Sequence, residues 1–592
     1  MATYTIISNT PLGWDANLVV AITNDHNRVL HICRDDARLE DMEQCLYFFE
    51  PKLNVIKIPA WDCLPYDRVS PNSEIISQRL DGLAKLGELQ ETDRCIVLTT
   101  VNALMQRVPP RSFFSNTSKS LQLGREYQSH ELLNFLEDNG YLRTGTVREP
   151  GEYAVRGGII DVFPSGLSEP IRLDFFGNEL EAIRSFDPVS QRTVGKLKNA
   201  KLRPVAEVQL NTSGIELFRK GYRANFGAHI SNDPLYDAIT DGRRHAGMEH
   251  WLPLFHEQLE TITDHFPVTA ITADFEINNL VNARCELIDD YYQSRKSLHQ
   301  HKAEDGGVLY RPLPPGLLYL DAEGWDAIKR SVDFYEFSQF DIPDSSDVTD
   351  KKVTSSGTSA GLDLLEARNS KEINIFEHLT KVIKENISNK KRVVLSGFSP
   401  GSRDRLSTLL QENGLDNIAN ADSFNEVLNS PIATVSAVTL PIDRGFSTDG
   451  ILFLGEPDIL GERLARPSRK RRRKGEEFLQ EVSALSEGDY VVHVEHGIGQ
   501  FSGLETLEIG GAPHDCLRLI YSGGDKLFLP VENIDMLSRY GSEESRANLD
   551  KLGGVAWQAR KARVKKRLKD MADQLIKIAA ERELRTTQKI IP

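Results

Sequence analysis

A regular change of hydrophobic period across residues 1–117 constrains the fold more than any other feature. Val29–Cys33 is an apolar run of strand length. Asp36–Phe49 then spaces Leu39, Met42, Leu46 and Phe49 three, four and three apart, which is one face of a helix. Leu53–Ile58 and Cys95–Thr99 read again as strands, on either side of a helical stretch holding Leu80, Leu83 and Leu86. Such alternation predicts a mainly parallel sheet covered by helices, the architecture of many nucleotide-binding domains. A phosphate loop needs glycines whose amides wrap the phosphates, a lysine to reach them, and a Ser or Thr for Mg²⁺. Ile7–Asp25 contains no lysine, and the one Gly-Lys pair, Gly195-Lys196, is followed by Leu197. The expectation is a helicase-like fold without a working nucleotide site.

Residues 118–205 change character and read as a β-rich domain. In Ile171–Phe176, period two places Ile171, Leu173 and Phe175 on one face and Arg172, Asp174 and Phe176 on the other. An aromatic projecting from a polar face beside an arginine has the composition of a protein–protein hot spot. The competing reading is a Phe covered by another domain of the same chain. Arg156 precedes Gly157 and Gly158, which let the chain bend back towards that strand.

Residues 206–342 return to a mixed α/β pattern. Residues 343–370 are rich in Ser, Asp, Lys and Gly and read as a linker. Residues 371–460 read as a small α/β domain, with a strand at Arg392–Ser396, a helix from Arg403, and GFSPGS (Gly397–Ser402) between them. That turn lacks a phosphate-loop lysine and loses one amide to Pro400, so it reads as connection chemistry. Residues 461–484 form a basic linker, in which Arg469, Lys470, Arg471, Arg472 and Arg473 suit a solvated chain or transient contact with DNA phosphates. Residues 485–545 are short β-rich runs punctuated by glycines, the pattern of a small barrel. Phe501, Gly503, Glu505 and Leu507 are expected on one strand face. His493 and His496, three apart on a strand, should point to opposite faces and not chelate. Residues 546–592 contain an amphipathic helix in which Val564, Leu568, Met571, Leu575 and Ile578 form one stripe.

The formal net charge of −15 argues against a protein that coats DNA through its overall charge. The six cysteines form no C-x-x-C pair, so neither a zinc site nor a disulfide framework is expected. The N-terminus carries no signal peptide pattern and no run approaches the ~20 apolar residues of a membrane span. A cytoplasmic protein without membrane contact is expected. No catalytic residue, metal ligand or cofactor-binding residue is assigned.

Gly151–Thr193 resembles the UvrA-binding domain shared by UvrB and the transcription-repair coupling factors. Trp61–Arg79, read as a loop, resembles the coupling factors' version, and 485–545 is similar to their RNA polymerase-interacting module, a Tudor-like barrel also found in CarD-type regulators. The order of these modules carries the resemblance further than any one of them. It implies that 206–342 is the second half of a UvrB-like domain interrupted by the insertion, and that 546–592 is a linking helix. It also implies a UvrA-binding patch of Arg156, Arg172 and Phe176, and pairing with the RNA polymerase β subunit around Glu505, Leu507 and Ile509, with Leu507 as anchor. The family continues into motor domains that bind ATP and Mg²⁺ and grip double-stranded DNA, which a sequence ending at Pro592 does not reach. The expected role is to bind stalled polymerase at lesions and recruit UvrA, the full-length family protein displacing polymerase by ATP-driven translocation. The alternatives are a UvrB-like excision-repair helicase subunit or a motor-less regulator of RNA polymerase.

Overall fold

The computed structural model describes residues 2–90, 92–227, 233–302, 310–342, 351–362, 364, 374–460, 488–493, 496–509, 512–530, 537–539 and 549–552. They belong to two units, Met1–Arg466 and Pro467–Pro592.

The first unit opens with strands β1 (Tyr4–Ser8), β2 (Arg28–Cys33), β3 (Asn54–Ile58) and β4 (Cys95–Thr100). Helices Trp14–Ile22, Asp36–Phe49 and Ser73–Glu88 connect them. β2 and β4 are buried at every residue, as strands in the middle of a parallel sheet covered on both faces must be. Asp35 and Asn72 cap the second and third helices by accepting from Arg38 N and Glu74 N. The third helix starts inside the Trp61–Arg79 stretch that the sequence suggests is a loop. β1 and the first helix are not legible in sequence. One is short, and the other, WDANLVVAI, is too uniformly apolar to show a helical stripe.

The chain then leaves this sheet to build the inserted domain from β5 (Lys119–Gln122), β6 (Leu142–Arg143), β7 (Glu152–Arg156), β8 (Ile159–Val162), β9 (Ile171–Phe176), β10 (Glu179–Phe186), β11 (Thr193–Leu197) and β12 (Asn199–Leu202). β7 to β11 form an antiparallel meander, with β6 added parallel to β7. One face of the meander packs Ile160, Ile171, Leu173 and Ile183 against Leu132 and Leu136 of the helix Ser129–Asp138. Each such buried side chain contributes about 2 kcal/mol. β5 and β12 pair at the neck where the chain enters and leaves. Just past the neck, Glu207 accepts from Arg79 Nε (2.8 Å) and Trp61 Nε1 (3.1 Å), and both members of the ion pair are fully buried.

β13 (Ala270–Ala273), β14 (Asp333–Phe337) and β15 (Lys352–Ser355) complete the first sheet in the order β15-β1-β14-β13-β2-β4-β3, parallel throughout. β13 and β14 are interior strands, so the sheet is continuous only with residues from beyond the insertion. The 343–370 segment differs from the linker its composition suggests. It supplies β15 to this sheet and β16 (Ser359–Ala360) to the next. A polar strand at a sheet edge needs only one neighbour and no apolar face, which is why composition hides it.

β16 joins β17 (Arg392–Gly397), β18 (Ile418–Asn420), β19 (Val435–Thr439), β20 (Phe446–Ser447) and β21 (Ile451–Gly455) in the order β16-β20-β21-β17-β19-β18. Trp14 welds the two sheets, its ring centre lying 5.8 Å from Phe49, 5.7 Å from Phe446 and 5.9 Å from Phe453.

In the second unit, β22 (Tyr490–His493), β23 (Gly497–Ile509), β24 (Ala512–Ile520), β25 (Lys526–Pro530) and β26 (Leu537–Arg539) form an antiparallel sheet ordered β25-β24-β23-β22-β26. Val491, Phe501, Leu517, Leu519 and Leu529 make its core. The basic run from Arg469 to Arg473 and the amphipathic stretch Val564–Ile578 lie outside the described residues. Among the described residues no helix is long and apolar enough to cross a membrane.

Candidate functional site

Two hairpin tips sit side by side at the free end of the inserted domain. β7 turns into β8 through Gly157-Gly158, and β9 into β10 through Gly177-Asn178. Gly157 and Gly177 have φ of +60° and +62°, the conformation two-residue hairpin loops require. A Cβ on Gly158 would lie 2.7 Å from the Phe175 carbonyl oxygen, so the two tips approach through glycine. The register Arg156↔Ile159↔Asp174 places these three on one face, which Phe176 continues two residues on. That is the face opposite Leu173 and Ile171, as the alternation predicts.

Phe176 is 75% exposed, the most exposed of the large hydrophobic side chains described. No described part of this chain covers it. Arg156 is exposed, and its NH2 donates to Gly145 O (2.5 Å) and Thr146 Oγ1 (3.1 Å) of the neighbouring loop. Arg172 shares their face but is committed inward. It donates from Nε and NH2 to the two oxygens of buried Asp161 (2.7 and 2.9 Å) and lies 4.7 Å over the Phe186 ring. Those hydrogen bonds push the guanidinium pKa up and hold it charged. The structure therefore brings Arg156 and Phe176 to one exposed rim and leaves Arg172 behind it as support. Ile159, 37% exposed, and the ion pair Asp174–Arg184 (2.8 Å) complete the rim. Period two in Ile159–Val162 could have placed Ile159 there.

In the second unit, β22 pairs with β26 on one side and, on the other, with the Gly497–Gln500 part of β23. From Leu504 to Ile509, β23 pairs with β24, and among the described residues no strand pairs with its other edge. A bulge between Phe501 and Leu504 shifts the register. Phe501 faces Leu519 and Leu504 faces Leu517, so Glu505 falls on the opposite face from Phe501. This corrects the expectation that Phe501 and Glu505 share a face, since an inserted residue reverses the parity. Glu505 accepts from Arg518 NH1 (3.0 Å). Leu507 and Ile509 stand opposite His514 and Ala512 in the free-edged stretch, and their side chains lie outside the described residues. The His493 and His496 rings stack at 4.6 Å, contrary to the strand argument, because β22 ends at His493 and the chain turns.

At the β1–helix turn, Asp15 Oδ1 accepts from Gly13 N (3.0 Å) and Ala16 N (2.9 Å), while Oδ2 pairs with buried Arg38. A Cβ on Gly13 would meet Ile442 at 2.4 Å. A carboxylate and a packed side chain thus hold the space that a phosphate loop gives to phosphate oxygens, and these residues do not fit a nucleotide. At GFSPGS, likewise, Glu456 Oε2 accepts from Phe398 N (3.3 Å). Sequence gave no sign of the buried group His31, Cys33 and Asp274, whose ligand atoms lie within 4.8 Å of one another. Burial opposes ionisation of Asp274, yet the Arg38 guanidinium 3.5 Å away holds its carboxyl down to about 2. Arg38 supplies the cation there, and burial pushes the Cys33 thiol up.

Residues 120–207 match the family model described as the UvrB interaction domain, and residues 485–541 match the CarD-like/TRCF RID domain. The chain resembles transcription-repair-coupling factors along nearly its whole length. It is 31% identical to that of Rickettsia bellii over 95% of this chain and 48% of the relative. It is 31% identical to that of Haemophilus influenzae over 96% and 47%, and 31% identical to that of Escherichia coli over 89% and 44%. The chain spans about half the length of the curated relatives it matches.

Proposed function

We propose that this chain carries the partner-recruiting half of a transcription-coupled DNA repair protein. In this reading the inserted domain binds UvrA through Arg156 and Phe176, with Arg172 holding the face in place. The 485–545 module adds the free edge of β23 to a strand of the RNA polymerase β subunit, with Leu507 as the apolar anchor and Glu505 and Ile509 beside it. The observation that carries the proposal is Phe176, an aromatic three-quarters exposed on the hairpin rim of a domain matching the UvrB interaction model. An exposed aromatic with a polar rim is the composition of a hot spot, and an unpaired strand edge is the usual substrate for strand addition.

Displacement of polymerase by ATP hydrolysis is assigned to the part of the relatives' length that this chain does not span, where ATP, Mg²⁺ and most double-stranded DNA contacts would also lie. The basic residues Arg469 to Arg473 are at most an accessory DNA contact. A cytoplasmic setting suits these partners.

The test is titration of UvrA and of RNA polymerase against the chain. Phe176→Ala should weaken UvrA binding about thirty-fold and leave polymerase binding unchanged. Leu507→Arg should abolish polymerase binding and leave UvrA untouched. Wild-type affinity in both folded variants would overturn the proposal.

A further inference from the structure

The bulge in β23 does more than reverse the parity of Glu505. It takes up one extra residue between Phe501 and Leu504, with Gly503 at φ +114°, a conformation that suits glycine. Arg518 braces it from β24. Its guanidinium donates to Ser502 O (3.0 Å), to Ser502 Oγ (3.2 Å) and to a Glu505 carboxylate oxygen (3.0 Å). Residues on both sides of Gly503 are thus tied to one side chain. The consequence falls on Leu504. Its register partner Leu517 is fully buried in the core of the unit, so Leu504 lies on the core face of the sheet. Yet Leu504 is 53% exposed, the only exposed large hydrophobic side chain described in the second unit. It also stands where the free edge of β23 begins.

A strand added to that edge brings side chains of both its faces against β23, with directly opposite residues about 4.5–5.5 Å apart. Leu504 and Leu507 are three apart on a regularly paired stretch and so hold opposite faces. We infer that Leu504 is a second apolar anchor for the RNA polymerase strand that pairs with β23, gripping it on the face opposite Leu507. The inference rests on the strand-addition reading given above and adds a requirement on the partner. Its strand must carry apolar side chains an odd number of residues apart, one for each face. Simple alternation would satisfy Leu507 and leave Leu504 against polar groups. Glu505, committed to Arg518, holds the bulge that sets this geometry.

The experiment is titration of RNA polymerase against the full chain and its variants. Leu504→Thr keeps a strand-forming residue at an exposed position, so thermal unfolding should match wild type. Burying the exposed half of a leucine side chain is worth about five- to ten-fold in affinity, and that is the loss expected, with UvrA binding unchanged. Leu504→Met, apolar and of similar size, should bind as wild type. A photocrosslinking residue, Leu504→p-benzoylphenylalanine, should label the β subunit in the complex. Leu507→Arg reports separately on strand addition. If Leu507→Arg abolishes binding while folded Leu504→Thr binds as tightly as wild type, the second anchor is overturned and strand addition stands. If both variants bind as wild type, the strand-addition reading falls and takes the anchor with it. Crosslinking to another subunit, or to none, would also overturn the assignment of Leu504.

Discussion

Removing the Arg172 side chain should destabilise the inserted domain by about 3 kcal/mol, while removing Phe176 four positions on should leave stability within about 0.5 kcal/mol. The difference follows from what each side chain touches. Asp161 is 3% exposed at its side chain and receives two bonds from Arg172, itself 20% exposed. Deleting one partner of a buried pair costs about 3–5 kcal/mol, because the other charge stays buried and uncompensated. The partial exposure of Arg172 lets water in and moves the value to about 2–3 kcal/mol. Losing the stack over Phe186 adds about 0.5 kcal/mol. The assay is native-state hydrogen exchange at the β8 and β9 amides, which reads local opening without assuming that a multidomain chain unfolds in one step. A cycle of Arg172→Met, Asp161→Leu and the double variant should show coupling of about 2 kcal/mol, with the double variant recovering most of either loss. If Arg172→Met costs under about 0.5 kcal/mol and the cycle shows no coupling, the pair is not structural. Arg172 would then be free to serve a partner directly.

Three other outcomes are expected. His250 is buried with neither ring nitrogen bonded, and burial holds its pKa down to about 4. The unfolded chain takes up a proton near the ordinary value of 6.5 that the folded chain refuses, so stability is full above that pH and falls as pH drops towards 4. Going from about pH 7 to about pH 5 should cost about 2 kcal/mol in urea unfolding of this region, and His250→Phe should remove that slope. Glu207→Gln leaves the fully buried Arg79 unpaired, and should cost about 3–5 kcal/mol and speed proteolysis at the neck of the inserted domain. Finally, a fluorescent ATP analogue should show no saturable binding, and Asp15→Asn should not create it, because Ile442 still fills the turn.

Elements with a clear period were legible in the sequence: the helix Asp36–Phe49 and the strands β2, β4 and β9 are where the spacing puts them. The face of Phe176 follows from counting by twos. What escaped were features whose cause lies in another part of the chain. Arg172 looks free on its strand, and only the antiparallel pairing with β8 puts Asp161 beneath it. The parity of Glu505 was lost to a bulge that no composition rule marks. β15 is polar because one neighbour satisfies it. Asp15 and Arg38 are ordinary charges in sequence, and become a filled anion site only when the sheet brings two helix N-termini together.

The placement of Phe176 also says how its contact should behave. β9 pairs with β10 up to Phe176 itself and with β8 up to Asp174, Phe175 N still donating to Gly158 O, and the following turn is only Gly177-Asn178. The backbone of the rim is therefore formed before any partner arrives. Binding must then order little more than one aromatic side chain, at about 0.5–1.5 kcal/mol, instead of a loop. The ring carries no charge, so it does little to steer the encounter, and the neighbouring Asp174–Arg184 pair is already neutralised internally. Its contribution should appear in how long the complex lasts. Phe176→Ala should raise the UvrA dissociation rate by most of the about thirty-fold loss and change the association rate less than about three-fold. Surface plasmon resonance separates the two rates. A variant that instead slows association by an order of magnitude would mean that the rim is not preformed in solution, and that the partner selects a rearranged tip.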